Sequence, residues 1–157
     1  MNKKYRWIIL LLILLLMITG CSYRKKSFFY KEKPSVNYYT QLLQESLTKK
    51  HPEKVTIFYR EFFREFTLPQ NESEDVVSFI NSLQTTNFME DSSEIKDPYK
   101  YKVYIEFDDM KFGISIFNES QVAIYAWDGN YPSDYADITD IPLSINIYGI
   151  CKYFNDN

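Results

Sequence analysis

Residues 101–107, 112–117 and 122–127 each alternate along their length, and this pattern constrains the fold most. Only an extended strand sends every second side chain to the same side. Three such runs with short polar gaps make an antiparallel meander. Asp109-Met110 reads as a two-residue turn, which pairs Phe107 with Phe112 and Ile105 with Ile114. The second gap has to be Asn118-Glu119-Ser120. A two-residue loop would set Phe117 against Val122 and send the two apolar rows to different faces. With three residues, Ile116 pairs with Val122 and Ile114 with Ile124. One face then carries Val103, Ile105, Phe107, Phe112, Ile114, Ile116, Val122, Ile124 and Ala126, and it is the core face. The other carries Tyr104, Gly113, Ser115, Tyr125 and Trp127, with Lys102 and Glu106. Tyr125 lies across from Gly113 and can cover it. Trp127 lies across from Lys111, a cation–π neighbour.

The remaining elements follow from helical spacing and stop signals. Val36, Tyr39, Leu43 and Leu47 place a helix over 36–49, with Ser35 able to cap it and His51-Pro52 ending it. Residues 55–68 are β-rich and read as a strand bent or bulged near 60–63, although 60–65 also fits a helix. Residues 72–83 form a helix, with Asn71 and Glu74 as a capping box and Val76, Ile80 and Leu83 as its stripe. Residues 84–97 are a polar loop pinned by Phe88, and 128–140 an acidic connection. The last helix runs over 142–154, with Pro142 in its first turn and Ile147, Cys151 and Phe154 as its stripe. The order helix, strand, helix, three strands, helix gives one α+β domain over 36–157. Its antiparallel sheet, a three-strand meander plus one earlier strand, has helices packed on one face.

The N-terminus has a different character. Lys3, Lys4 and Arg6 precede an unbroken apolar run over 8–18. A spanning helix needs about 20 such residues, so the run has the length of a signal-peptide core instead. Ile18-Thr19-Gly20-Cys21 follows. It resembles the lipobox of bacterial lipoproteins, in which the cysteine is acylated and becomes the new N-terminus. The resemblance implies a signal peptide over 1–20 and a diacylglyceryl group on Cys21, with a third chain in some bacteria. Two or more chains anchor stably without spanning. Residue two of the mature chain is Ser22, which favours the outer membrane if the host has two membranes. With a single membrane the domain faces outside.

Charge is unevenly spread. Residues 21–68 carry ten Lys/Arg against five Asp/Glu, 69–111 four against ten, and 112–157 one against six. Residues 21–35 read as a basic tether closed by Pro34. Its lysines and arginine each contribute about 1 kcal/mol beside an anionic surface. An exported, net-acidic domain is not expected to bind nucleic acid.

The composition narrows the chemistry. One His excludes His-rich metal sites, and two Cys exclude zinc fingers and disulfide scaffolds. With Cys21 committed to lipid, Cys151 is a buried free thiol. Ser–His–Asp chemistry has only His51, with no Gly-x-Ser-x-Gly. The glycines at 20, 113, 129 and 149 are too dispersed for a phosphate loop. Asp128, Asn130 and Asp134 faintly echo a calcium loop. However, Pro132 stands at its fifth position and no Glu at its twelfth, so a strand-end turn is the better reading. Asp108 and Asp109 are adjacent, so in a strand they point to opposite faces and cannot serve as a glycosidase pair.

Trp127-Asp128-Gly129-Asn130-Tyr131, Asp134-Tyr135, and Ile141-Pro142 before a helix ending Cys151-Lys152-Tyr153 resemble a family of uncharacterised clostridial lipoproteins. The likeness runs from Lys54 onward. It implies a lipoprotein with an α+β domain and assigns no catalytic residue. The expectation is a membrane-anchored extracytoplasmic lipoprotein acting as a non-catalytic interaction module, with no cofactor and no metal. Tyr104, Tyr125 and Trp127 are its candidate contact face, toward an envelope protein or a wall glycan. The alternative is a cell-wall hydrolase using acidic residues of 128–140, which would need several of Asp108, Asp128, Asp134, Asp137 and Asp140 in one cleft.

Overall fold

The computed structural model describes residues 32–90, 92, 95–142 and 144–156. The apolar run, Cys21 and the tether as far as residue 31 lie outside the described residues. The first helix, α1, is Tyr38–Lys49 and buries Tyr39, Thr40 and Leu43. Asn37 stands at its N-cap without a side-chain cap. Ser35, expected to cap with its hydroxyl, instead offers its carbonyl to the Tyr38 N–H at 3.3 Å. The helix stops at Lys50, whose N–H closes on the Ser46 carbonyl at 3.0 Å, just before His51-Pro52.

The stretch expected as one bent strand is a hairpin. β1, Lys54–Tyr59, turns through 60–63 into β2, Arg64–Thr67, which returns antiparallel with Tyr59 against Arg64. Phe63 takes a φ of 48°, in the left-handed region that glycine or asparagine usually fills. No such residue stands in the turn, so the sequence does not mark it.

The second helix, α2, is Gln70–Ser82 and starts behind Pro69 rather than at an Asn71 capping box. The Pro69 carbonyl accepts from the Glu72 and Ser73 N–H groups at 3.0 and 3.1 Å. Its far end is tied to α1, where Gln44 Nε2 donates to the Ile80 and Leu83 carbonyls at 2.8 and 3.1 Å. A 3₁₀ turn, Thr85–Asn87, leads into the two-residue strand β3, Phe88–Met89.

The meander follows as β4, Tyr101–Glu106, β5, Lys111–Ile116, and β6, Gln121–Ala126. Its second hairpin has the expected register, with Ile114 against Ile124 and Ile116 against Val122. The first is shifted by two residues, with Ile105 against Phe112 and Val103 against Ile114. The loop there is Phe107 to Met110, closed by the Phe107 N–H on the Met110 carbonyl at 2.8 Å. A shift of two preserves the pleat, so the face assignments are unchanged. All nine residues of the expected core face are buried.

Within the acidic connection lies a further strand, β7, Asp134–Asp137, which pairs with β6 and with β3. The last helix, α3, is Ile147–Asp156 and begins five residues after Pro142. Pro142 closes a turn with Ile145, and Asn146 starts the helix. The Asn146 Oδ1 accepts from the Tyr148 N–H at 2.9 Å, and its Nδ2 donates to the Glu119 carbonyl at 3.1 Å.

The sheet order is β2-β1-β4-β5-β6-β7-β3, antiparallel throughout. Among the described residues the three helices pack on one face, making a single α+β domain. Ile57, Phe79, Ile80, Phe112, Ile114, Ile124, Ile138 and Cys151 are all fully buried between sheet and helices. Among the described residues no helix is long and apolar enough to cross a membrane.

Candidate functional site

Alternation in β4, β5 and β6 places Tyr104, Gly113, Tyr125 and, just past β6, Trp127 on the helix-free face. Gly113 is flanked by Tyr104 on one side and Tyr125 on the other. The Tyr125 ring lies over it, and a Cβ there would sit 2.5 Å from that ring. Trp127 is held at the strand end by its N–H on the Lys111 carbonyl at 2.9 Å. The rings of Tyr104 and Trp127 meet edge to face at 5.8 Å. Lys111 Nζ stands 4.5 Å from the Trp127 ring and 4.8 Å from the Tyr104 ring, and it pairs with Glu106 at 3.0 Å. Burial raises the Tyr104 pKa, with smaller contributions from Tyr99 and Glu65. Tyr104 and Tyr125 are partly buried, whereas Trp127 is 60% exposed. The lysine fixes a large aromatic ring in place without covering it.

The acidic residues do not converge. Lys50 pairs with both Asp108 and Asp109, which sit on the β4–β5 loop and not on opposite strand faces as expected. Those contacts raise the Lys50 pKa and lower that of Asp108. Asp128 accepts from the Asn130 N–H and Nδ2, both at 3.0 Å, and from the Tyr39 hydroxyl at 2.6 Å. Burial alone would raise the Asp128 pKa, but these hydrogen bonds outweigh it and hold it below the ordinary value. Tyr39 Oη also accepts from the Tyr131 N–H at 2.9 Å, so the Trp-Asp-Gly-Asn-Tyr turn is fastened to α1. Gly129, at φ 65°, supplies the left-handed residue that turn needs.

Asp134 faces inward. It is fully buried and accepts from the Thr40 N–H at 2.6 Å and the Thr40 hydroxyl at 2.8 Å, with the Lys33 ammonium at 2.6 Å. Lys33 belongs to the segment read as tether, yet its ammonium also donates to the Val36 and Ser133 carbonyls at 3.0 and 3.2 Å. Asp137 is occupied by the Thr139 N–H and hydroxyl at 2.8 and 2.6 Å. Among the described residues no three His, Cys, Asp or Glu stand close enough to hold a metal ion. Cys151 is fully buried, and burial pushes its thiol pKa well up, which rules out a thiolate nucleophile at neutral pH.

The sequence did not indicate a second feature, a cleft of about 750 Å³ between the β1–β2 turn, the 97–100 loop and α3. Tyr59, Arg60, Phe62, Phe63, Tyr99, Tyr101 and Tyr148 supply its aromatic and basic lining, with Asn155 at the helix end. The Tyr101 ring meets those of Tyr59 and Tyr148 at 5.7 and 5.5 Å. Burial pushes the Tyr59 and Tyr101 hydroxyls up to about 12. Three separate stretches of chain build the cleft. The only local signal is the aromatic density of Phe62-Phe63 and Tyr99-Lys100-Tyr101.

A domain of unknown function, DUF4883, matches the chain over residues 33–151. No curated protein matches it. In a crystal structure, the "Putative Lipoprotein from Clostridium perfringens" has the same fold, with a TM-score of 0.69 and 26% identity. The alignment spans 80% of this chain and 100% of that one. Neither comparison carries any sign of enzymatic activity. The matched span opens at Lys33, the residue that closes onto Asp134, and ends at Cys151 in the core. It takes in every strand of the described residues, so the chain belongs to the DUF4883 family of uncharacterised domains, whose fold this lipoprotein-like clostridial neighbour shares.

Proposed function

We propose that this protein is a lipid-anchored extracytoplasmic module that binds a partner at the cell envelope and carries out no chemistry. The anchor is Cys21, read from the lipobox at residues 18–21 and supported by the lipoprotein-like neighbour. The domain faces outside, in the outer membrane if the host has two membranes. The binding reading rests on one observation: Trp127, 60% exposed and braced by Lys111 and Tyr104 on a sheet face that carries no helix. Rigid aromatic rings give large contact area at low entropy cost, which is why Trp and Tyr dominate the centres of interfaces. Tyr125 extends the same surface. The partner is an envelope protein or a wall glycan.

Two measurements test this. Cys21→Ala should release the protein from membranes, and retention at the same processed mass would mean a different anchor. For binding, the acylated full-length protein and its Trp127→Ala variant are compared by crosslinking in envelope extracts and by sedimentation with purified wall. The variant should fold normally and lose its partner. A Trp127→Ala protein that melts several degrees lower would make the ring structural, and one that keeps every partner would remove the face from the function.

A further inference from the structure

Three of the five exposed large apolar side chains among the described residues, Phe62, Phe63 and Phe66, belong to the β1–β2 hairpin. Phe62 and Phe63 stand together at its turn, 60% and 83% exposed. Phe63 meets the Phe58 ring edge to face at 6.3 Å. It keeps that place at a φ of 48°, a strained conformation for so bulky a residue. The turn projects from the end of the strands opposite Trp127, because Tyr59 pairs with Tyr101 while Trp127 meets Lys111 at the far end of β4 and β5. Charge also differs between the two ends. Lys33, Lys50 and Lys111 each pair with a carboxylate. Around the turn, Arg60, Arg64, Lys100 and Lys102 pair with none among the described residues. They lie over the rings of Tyr59, Tyr99 and Tyr148 instead, at 4.3–5.4 Å. Glu61, Glu65 and Asp97 are exposed beside them, so this end is near neutral. The two lysines are among only five Lys/Arg that residues 69–157 set against sixteen Asp/Glu.

We propose that the β1–β2 turn is a second membrane contact, which docks the domain on the bilayer that holds the lipid of Cys21. The proposal rests on that anchor. Phe62 and Phe63 enter the headgroup region, where aromatic rings leave water while the polar backbone of the turn stays hydrated. Arg60, Arg64, Lys100 and Lys102 meet the lipid phosphates, with their aliphatic stems along the rings. An anionic surface attracts these cations and repels the acidic remainder of the domain, so one orientation is favoured. The chain is long enough for both contacts. Lys33 is fixed at Asp134 in β7, and β1 lies four strands across the sheet, about 19 Å at about 4.8 Å per strand. Residues 21–33 extend to about 40 Å, so anchor and turn reach one bilayer. Docked in this way, the domain points its Trp127 end away from the membrane, toward an envelope partner.

The test uses the acylated full-length protein in vesicles of phosphatidylcholine with a minority of phosphatidylglycerol, with and without bromine on the acyl chains as quencher. Once the signal peptide is removed, Trp127 is the only tryptophan. Phe62→Trp combined with Trp127→Phe moves the indole to the turn, and Phe63→Trp in the same background is a second reporter. Emission from the turn should shift to the blue in vesicles and fall about twofold with brominated lipid, as for a ring about 5–10 Å below the surface. Trp127 in the parent should show neither change. Adding Arg60→Glu and Arg64→Glu should reduce the quenching, and unchanged quenching would overturn the role given to the arginines. Protein that floats with the vesicles but stays unquenched at both turn positions would overturn the contact and keep the anchor. Trp127 quenched as strongly as the turn would overturn it as well, because the domain then has no fixed orientation. An unquenched turn that purified wall shields from iodide would assign the two phenylalanines to a wall polymer instead. A parent that does not float has no anchor, and the second contact falls with it.

Discussion

Asp134 has no access to water, so its charge has to be balanced by protein. The balance is the Thr40 N–H and hydroxyl together with the Lys33 ammonium. Removing one partner of a buried pair strands the other, which typically costs about 3–5 kcal/mol. Lys33→Ala should therefore destabilise the domain by about 3 kcal/mol in urea unfolding, and adding Asp134→Asn should recover part of that loss. A neutral Lys33→Ala would mean the segment around Lys33 is a free tether. Asp128 acts through proton binding. Its folded pKa lies below the ordinary value, so it stabilises above the unfolded pKa of about 3.9, and that contribution is lost as pH falls through the lower folded value. Asp128→Asn cannot bind that proton. Below about pH 4 its stability should decline less steeply than that of the parent, measured by thermal melts across pH 2–6. Identical acid limbs would show that the hydrogen bonds from Tyr39 and Asn130 do not discriminate between the charged and neutral forms.

At the scale of elements, legibility followed period and length. Residues 103–107, 112–116 and 122–126 keep strict period two, and every one of their face assignments holds. The register of the first hairpin was not legible, because a two-residue and a four-residue loop give the same faces. β7 stayed hidden for a different reason. It has four residues, two of them Asp, and Asp134 is buried only because Lys33 and Thr40 come to it from elsewhere. The β1–β2 turn carries no turn residue, and the cleft beside it is assembled from distant stretches. The aromatic face, by contrast, follows from alternation alone. Gly113 sets its shape, since the Tyr125 ring occupies the space a side chain would need. In Gly113→Ala the far end of Tyr125 should swing outward. The substitution should cost about 1–3 kcal/mol with Tyr125 present and less in a Tyr125→Ala background. Additive costs in the double-mutant cycle would show that ring and glycine are independent.

For the whole molecule, the sheet order predicts how the protein opens. β4, β5 and β6 have neighbours on both sides, and their inner residues lie under the helices. β2 is an edge of four residues, all exposed, attached to the sheet only through β1. Its Arg64 and Glu65 and its short length discourage pairing with another chain. Phe66, which stacks on Phe154 at 5.6 Å, is its main link to the helix layer. Stability is therefore uneven, and the low end adjoins the β1–β2 turn, which forms one wall of the cleft. In native-state hydrogen exchange, amides of β4 to β6 should exchange only on global unfolding. Those of β2 should exchange by a local opening, with a free energy that barely changes with urea. If β2 instead exchanges at the global rate, the hairpin is an integral part of the cooperative unit, and its exposed phenylalanines are held as firmly as the core.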